Sequence, residues 1–447
     1  MTVARSVYYP VESTIGLGHF KRAGEIVKRM AALGLDVTVA SGSFVDEARF
    51  FPGVRRKILP RMVRPKVNGS FVVLDRDGRG VTAHDFIRQD WQDERARAHI
   101  KHFRLSGAQT LITEFWPFGR PSLHYEYNQL IQASRQVPRD VRRIVSVRDV
   151  TTYEAAASSD QEVSLSEEEQ ANIVERLNRD FDVVLVHGDP SFMRLSDTFP
   201  MADRIKTDVV YTGYVLEAVP ARSPQAADGP VLVSCGSGGG CHDFVFHFLS
   251  AWERAYARRA SDPRAQRLTR HPLHIVSGPR FQTWAWNDLT HWVERLRADY
   301  GHDVVLRRYA PDLTEAFANA AFSVSTAGYN TTLELMAINT PALLAPKYAM
   351  SQGELVIEDE QVVRLKRLEQ RGLVAMITPE ESMDSRRFAD RLLDSYDQQM
   401  RETLPRPRLD LAGSEKTAAT VKALCPEERK RNWFVERASW LAACLHG

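Results

Sequence analysis

The sequence predicts an α/β protein of two domains, each a parallel β-sheet wrapped by helices, facing each other across a cleft. Three observations predict it. Short β-branched runs alternate with stretches whose apolar residues recur at helical spacing, the pattern of βαβ units. The pattern stops in a loose stretch, 216–230, containing Glu-Ala-Val-Pro-Ala-Arg-Ser-Pro-Gln-Ala-Ala-Asp-Gly-Pro, and then restarts with a strand and a glycine turn, as at the beginning. The length, 447 residues, exceeds what one core ordinarily serves.

Taken in order, Ser6–Tyr9 reads as the first strand and Gly16–Gly18 as the turn after it. The helix that follows carries Phe20, Ala23, Ile26, Met30 and Leu33 at near-helical spacing, and Gly34 stops it. Asp36–Ala40 is the next strand, and others fit Gln109–Thr113, Arg143–Val147 and Val183–His187. Ser166 followed by Glu169 is a capping box opening a helix between the last two. After the linker, strands fit Val231–Ser234, Leu273–Ser277, Asp303–Leu306, Phe322–Ser325, Pro341–Ala345 and Leu373–Ile377. Helices fit Asp312–Ala320 and Asn330–Ala337. The expected division is a first domain over 1–215, a linker over 216–230, a second domain over 231–410 and C-terminal helices over 411–447.

Composition excludes several classes of function. Lysine and arginine number 59 against 57 aspartates and glutamates, so bulk charge implies neither nucleic acid nor an acidic polymer as partner. Four cysteines give no disulfide framework and no paired zinc motif. No apolar run approaches the roughly 20 residues of a spanning helix, and Met1 to Ser13 lacks the features of a secretory signal. The expected location is the cytoplasm.

Chemistry concentrates at the glycine turns. Gly16-Leu17-Gly18-His19 stands where a strand hands over to a helix, a place that favours negative charge. Gly236-Ser237-Gly238-Gly239-Gly240 occupies the equivalent position of the second domain, where backbone N–H groups can cradle a diphosphate. It lacks the Gly-Lys-Ser/Thr ending of a P-loop. Ser325-Thr326-Ala327-Gly328-Tyr329-Asn330 turns a third strand into a helix, and Glu334 lies one turn in, placed to accept both hydroxyls of a ribose. His19, titrating near neutrality, suits either proton removal from an acceptor hydroxyl or donation to a phosphate. Glu114 and Asp149, each just after a strand, are rival bases. His187 and Asp189 follow another strand end and either line the cleft or hold loops together. Asp75-Arg76-Asp77 has metal-binding spacing but precedes Gly78 and reads as a hairpin turn, so no metal site is expected.

The segment from Ser325 to Met336, continued by Pro341-Ala342-Leu343-Leu344-Ala345-Pro346, resembles the donor-binding signature of MurG-type glycosyltransferases. The resemblance implies the GT-B architecture, two Rossmann-like βα domains facing across a cleft, with the acceptor on the first and a UDP-sugar or other nucleotide diphosphate sugar on the second. It implies that Glu334 holds the ribose, that Ala327 and Gly328 face the diphosphate with Gly16, Gly18, Gly236, Ser237, Gly238 and Gly239, and that Glu360 and Gln361 read sugar hydroxyls. Arg308-Tyr309-Ala310-Pro311-Asp312 resembles the loop framing uracil, pointing to Tyr309 and Ala310. The nucleotide sugar is a substrate, so no cofactor is implied.

The rest of the first domain, with Thr113-Glu114-Phe115-Trp116-Pro117, resembles an uncharacterised bacterial group of predicted glycosyltransferases, and the acceptor class stays open. The turn ending in His19 is also similar to a UDP-sugar hydrolase, so hydrolysis and an inactive nucleotide-sugar-binding protein remain alternatives. Of two basic stretches, that from Arg55 to Lys66 reads as a solvated loop, with an anionic acceptor or membrane surface as alternative, and that from Arg254 to Arg270 as a helix face and an exposed insertion. The tail, with Trp433, Trp440, Leu441, Cys444 and Leu445 after Arg429-Lys430-Arg431, resembles a GT-B helix crossing back to the first domain. Peripheral membrane contact is its alternative.

Overall fold

The computed structural model describes residues 5–12, 18–42, 49–60, 66–67, 70–71, 73–74, 80–81, 89–151, 165–236, 241–279, 281–351, 354–357, 359–401 and 408–426. Gly16, Ser237, Gly238, Gly239, Arg61, Arg64, the triplet Asp75-Arg76-Asp77 and the aromatic tail beyond 426 lie outside them.

The first sheet contains β1 (Ser6–Pro10), β2 (Asp36–Ser41), β3 (Arg55–Ile58), β4 (Thr110–Glu114), β5 (Arg142–Arg148), β6 (Val183–His187) and β7 (Asp208–Tyr211). Every pairing is parallel, in the order β7-β6-β5-β4-β1-β2-β3. The second contains β8 (Val231–Ser234), β9 (Leu273–Val276), β10 (Val304–Arg307), β11 (Phe322–Thr326), β12 (Ala342–Ala345) and, after an antiparallel hairpin of β13 (Tyr348–Ser351) and β14 (Glu354–Ile357), β15 (Ala375–Met376). Its order is β10-β9-β8-β11-β12-β15, again parallel throughout. Parallel strands covered by helices on both faces must be apolar on both faces, and β1, β6, β8 and β12 are buried along their length.

Helices α1 (Gly18–Ala32), α2 (Gln89–Ser106), α3 (His124–Gln136) and α4 (Glu167–Asp180) cover the first sheet. The second carries α5 (His242–Ala257), α6 (Pro263–Thr269), α7 (Thr283–Tyr300), α8 (Leu313–Asn319), α9 (Tyr329–Ile338), α10 (Asp359–Gln370), α11 (Pro379–Met383) and α12 (Ser385–Arg401). Helix α4 opens with the capping box read from Ser166 and Glu169, both bonds being present. The last described helix, α13 (Gly413–Leu424), lies against α1: Lys422 Nζ donates to the Leu33 carbonyl at 3.0 Å, and Ala418 and Val421 join the apolar cluster of Phe20, Ile26 and Val27. Gly413 makes that crossing geometrically feasible, because a Cβ there would sit 2.4 Å from the Gly213 carbonyl oxygen.

Three elements depart from the sequence reading. Arg55–Ile58 is an edge strand, not a solvated loop. Its residues are largely exposed, it pairs with β2 alone, and Arg55 Nε bonds Asp36 Oδ1 at 3.0 Å. Asp208–Tyr211 is the opposite edge, and the β13–β14 hairpin interrupts what read as connection. The second basic stretch is tied to α12: Arg258, Arg264 and Arg267 pair with Asp390, Asp394 and Asp397.

In both sheets the strand order reverses beside the first strand, between β1 and β4 and between β8 and β11. Crevices that take ligands form outside the carboxyl ends of strands at such reversals. His19, Glu114, Gly236 and Gly328 all stand there.

Candidate active site

Strand β4 delivers Glu114 to the end of the sheet, and the chain turns at once. Phe115 has φ 64°, a left-handed conformation that is costly for a bulky residue and concentrates at functional sites. The turn is closed by Gly119, whose N–H donates to the Phe115 carbonyl at 3.0 Å. A Cβ on Gly119 would meet the Phe115 ring at 2.6 Å.

Glu114 is only 1% exposed, and both its oxygens are engaged. Oε1 accepts from His19 Nδ1 at 3.0 Å and from Arg22, while Oε2 accepts from Tyr9 Oη at 2.5 Å and Ser146 Oγ at 3.0 Å. Burial is the largest influence on Glu114 and alone would raise its pKa. The Arg22 charge and the bonds from His19 and Tyr9 outweigh it and hold the carboxyl well below the usual range. Nδ1 of His19 stands 3.0 Å from this anion and 3.3 Å from Arg22 Nη2; with Nδ1–H given to the carboxylate, the ring's lone pair is on Nε2. Burial, then the Arg120 charge, with Arg148 and Arg22 adding to it, pushes His19 well below 6.5 against the pull of Glu114. The imidazole is therefore neutral at neutral pH, the form a base requires.

The second domain meets this point directly. Helix α9 begins at the Gly328 cap, which is extended (φ −58°, ψ 146°), with neither a side-chain cap nor an acidic residue in the first turn. Its free N–H groups and dipole make a positive end. Gly236, at φ 57°, lies alongside: a Cβ there would lie 3.9 Å from Thr331 Oγ1. Across the interface, a Cβ on Gly18 would lie 3.9 Å from Asn330 Nδ2, and Lys21 Nζ is 2.5 Å from Glu334 Oε1. The Tyr329 ring lies between two guanidinium groups, Arg22 at 5.7 Å and Arg364 at 5.2 Å. The first turn of α1 is thus laid against the first turns of α9.

Comparison with solved structures places this arrangement. MurG of Acinetobacter baumannii superposes with a TM-score of 0.54 at 12% identity, over 94% of this chain and 100% of that one. The fold is GT-B. The UGT2 glycosyltransferase of Phytolacca americana gives 0.55 at 13% identity over 99% and 100% of the two chains. A UGT transferase of Siraitia grosvenorii gives 0.54 at 14% over 94% and 99%. No protein-family model matches the sequence, and no curated protein is similar to it in a direct sequence comparison.

Within the GT-B frame the sequence-derived residues separate into two groups. His19, Gly18, Glu114, Gly236, Ala327, Gly328 and Glu334 come together at the facing strand ends. Glu334 is 3% exposed and its pKa is raised, by burial first, with Lys21 opposing. Glu360 faces the cleft in an ion pair with Arg148, Nη1 to Oε2 at 2.7 Å. Gln361 is buried, its Oε1 accepting the Lys347 N–H at 2.9 Å. Tyr309 is 56% exposed beside the buried Ala310.

Two candidate bases are enclosed by protein partners. Glu114 is buried with both oxygens engaged, one of them by His19. Asp149 is fully buried and bound by Arg364 of α10, Nη2 to Oδ1 at 2.9 Å and Nε to Oδ2 at 3.1 Å, a pair that spans the two sheets' halves of the chain. His187 lies behind the site: Ser146 Oγ is 2.8 Å from its Nε2 and Thr212 Oγ1 2.9 Å from its Nδ1, and burial, then Arg22, push it down to about 3. Asp189 holds its own loop through Ser191 and Asp410.

Sequence reasoning missed Lys21, Arg22, Arg148 and Tyr329. One signal was present: His19 and Arg22 stand three apart at a helix start and so share a face.

Proposed function

We propose that this protein transfers a glycosyl group from a nucleotide diphosphate sugar, a UDP-sugar first among them, to an acceptor hydroxyl, with inversion and without a metal ion. The observation that carries the reading is the meeting of a neutral, carboxylate-oriented histidine with an uncapped helix start and a ribose-height carboxylate across a GT-B cleft. Two of the neighbours support it by their ligands, one holding UDP-2-fluoroglucose and the other UDP.

In this reading the first domain binds the acceptor and the second the donor. His19 Nε2 takes the hydroxyl proton as the oxygen attacks the anomeric carbon from the face opposite the diphosphate. The resulting imidazolium is stabilised by Glu114, which is already charged and already placed, so no reorganisation accompanies the transfer. Negative charge gathering on the departing diphosphate falls at the start of α9 and the glycine loop.

The donor half has a direct test. Glu334→Ala removes the only acceptor proposed for the ribose hydroxyls and is expected to weaken UDP binding by about 1.5–3 kcal/mol in titration calorimetry. Unchanged UDP affinity would contradict the assignment.

A further inference from the structure

Both carboxylates assigned to the donor's hydroxyls are occupied, and by cations of the other domain. Lys21 of α1 holds Glu334 at 2.5 Å, and Arg148, the last residue of β5, holds Glu360 at 2.7 Å. Arg148 also keeps Nε buried with no partner. A nucleotide sugar entering here brings hydroxyls to the two carboxylates and a doubly negative diphosphate beside them. Two carboxylates left without their cations oppose the diphosphate charge, and positive groups close by remove that opposition. The displaced cations cannot leave, being anchored on α1 and β5 near His19, whose pKa the Arg148 charge lowers.

We propose that Lys21 and Arg148 exchange partners on donor binding: the hydroxyls take Glu334 and Glu360, and the two freed cations become the counter-charges of the diphosphate. This rests on the nucleotide-sugar reading above and adds to it the residues of the first domain that complete the donor site. Guanidinium and ammonium groups strengthen such contacts as charge builds on the leaving group.

The test compares UDP with uridine, which shares the base and ribose but lacks the diphosphate, by calorimetry on the wild type, Lys21→Ala and Arg148→Ala. Lys21 is 36% exposed, so its variant keeps the fold. Each substitution is expected to weaken UDP by about tenfold or more, the loss of one charge-assisted contact, while uridine binds as before or more tightly. Tightening of both ligands in parallel would show that the ion pairs only hold the cleft shut and would overturn the proposal. A wild type that binds neither UDP nor uridine would instead overturn the nucleotide reading itself.

Discussion

His19→Ala is expected to lower turnover by about 10²–10⁴-fold, the usual contribution of a positioned general base, while leaving donor affinity unchanged. The expectation rests on the Nδ1 contact to Glu114 at 3.0 Å, which leaves Nε2 as the ring's acceptor. The pH profile supplies the companion result. Since the imidazole's folded pKa lies well below 6.5, its neutral form prevails across the neutral range. Turnover should be flat there and fall only as acid protonates Nε2. Steady-state kinetics with saturating donor checks both. Retained turnover in His19→Ala, or an acid limb centred at or above 6.5, would remove His19 from the role.

Asp149→Ala is expected to cost about 3–5 kcal/mol of stability, the range for leaving one member of a buried ion pair without its partner. Arg364 is only 2% exposed, and its Nη1 already lacks a hydrogen bond, so its buried charge depends on the Asp149 carboxylate. Tyr214 Oη, 3.3 Å from Oδ2, loses its acceptor as well. Because the pair spans the domains, the cost should appear in the cooperativity between them. Denaturant unfolding would show a lower midpoint, or two transitions where the wild type has one. Asp149→Ala with Arg364→Leu, which removes both charges, should recover much of the loss. A single substitution costing under about 1 kcal/mol would show that the pair is solvated and does not join the domains.

The central strands were legible because burial on both faces forces a continuous apolar run, and Val183–His187 and Val231–Ser234 fall where the sequence put them. Edge strands escape that constraint. Arg55–Ile58 is paired on one side only and reads as charge. The positions at the site were legible for a topological reason, since Glu114 and Gly328 each follow a strand that ends at the cleft. What those residues do was not. The role of Glu114 is decided by Arg22, Tyr9 and Ser146, and that of Asp149 by Arg364, 215 residues away. Pairings across two domains leave no mark on local periodicity, and nothing in the residues around Lys21 signals its pairing with Glu334.

The measurement that bears most directly on glycosyl transfer is the acceptor dependence of UDP release, with the products identified by mass spectrometry in buffer containing EDTA. The account predicts slow release with a UDP-sugar alone, a sharp rise when the matching acceptor is added, and a glycosylated acceptor as product. Rapid release of free sugar at a rate that no acceptor raises would contradict it and identify a hydrolase.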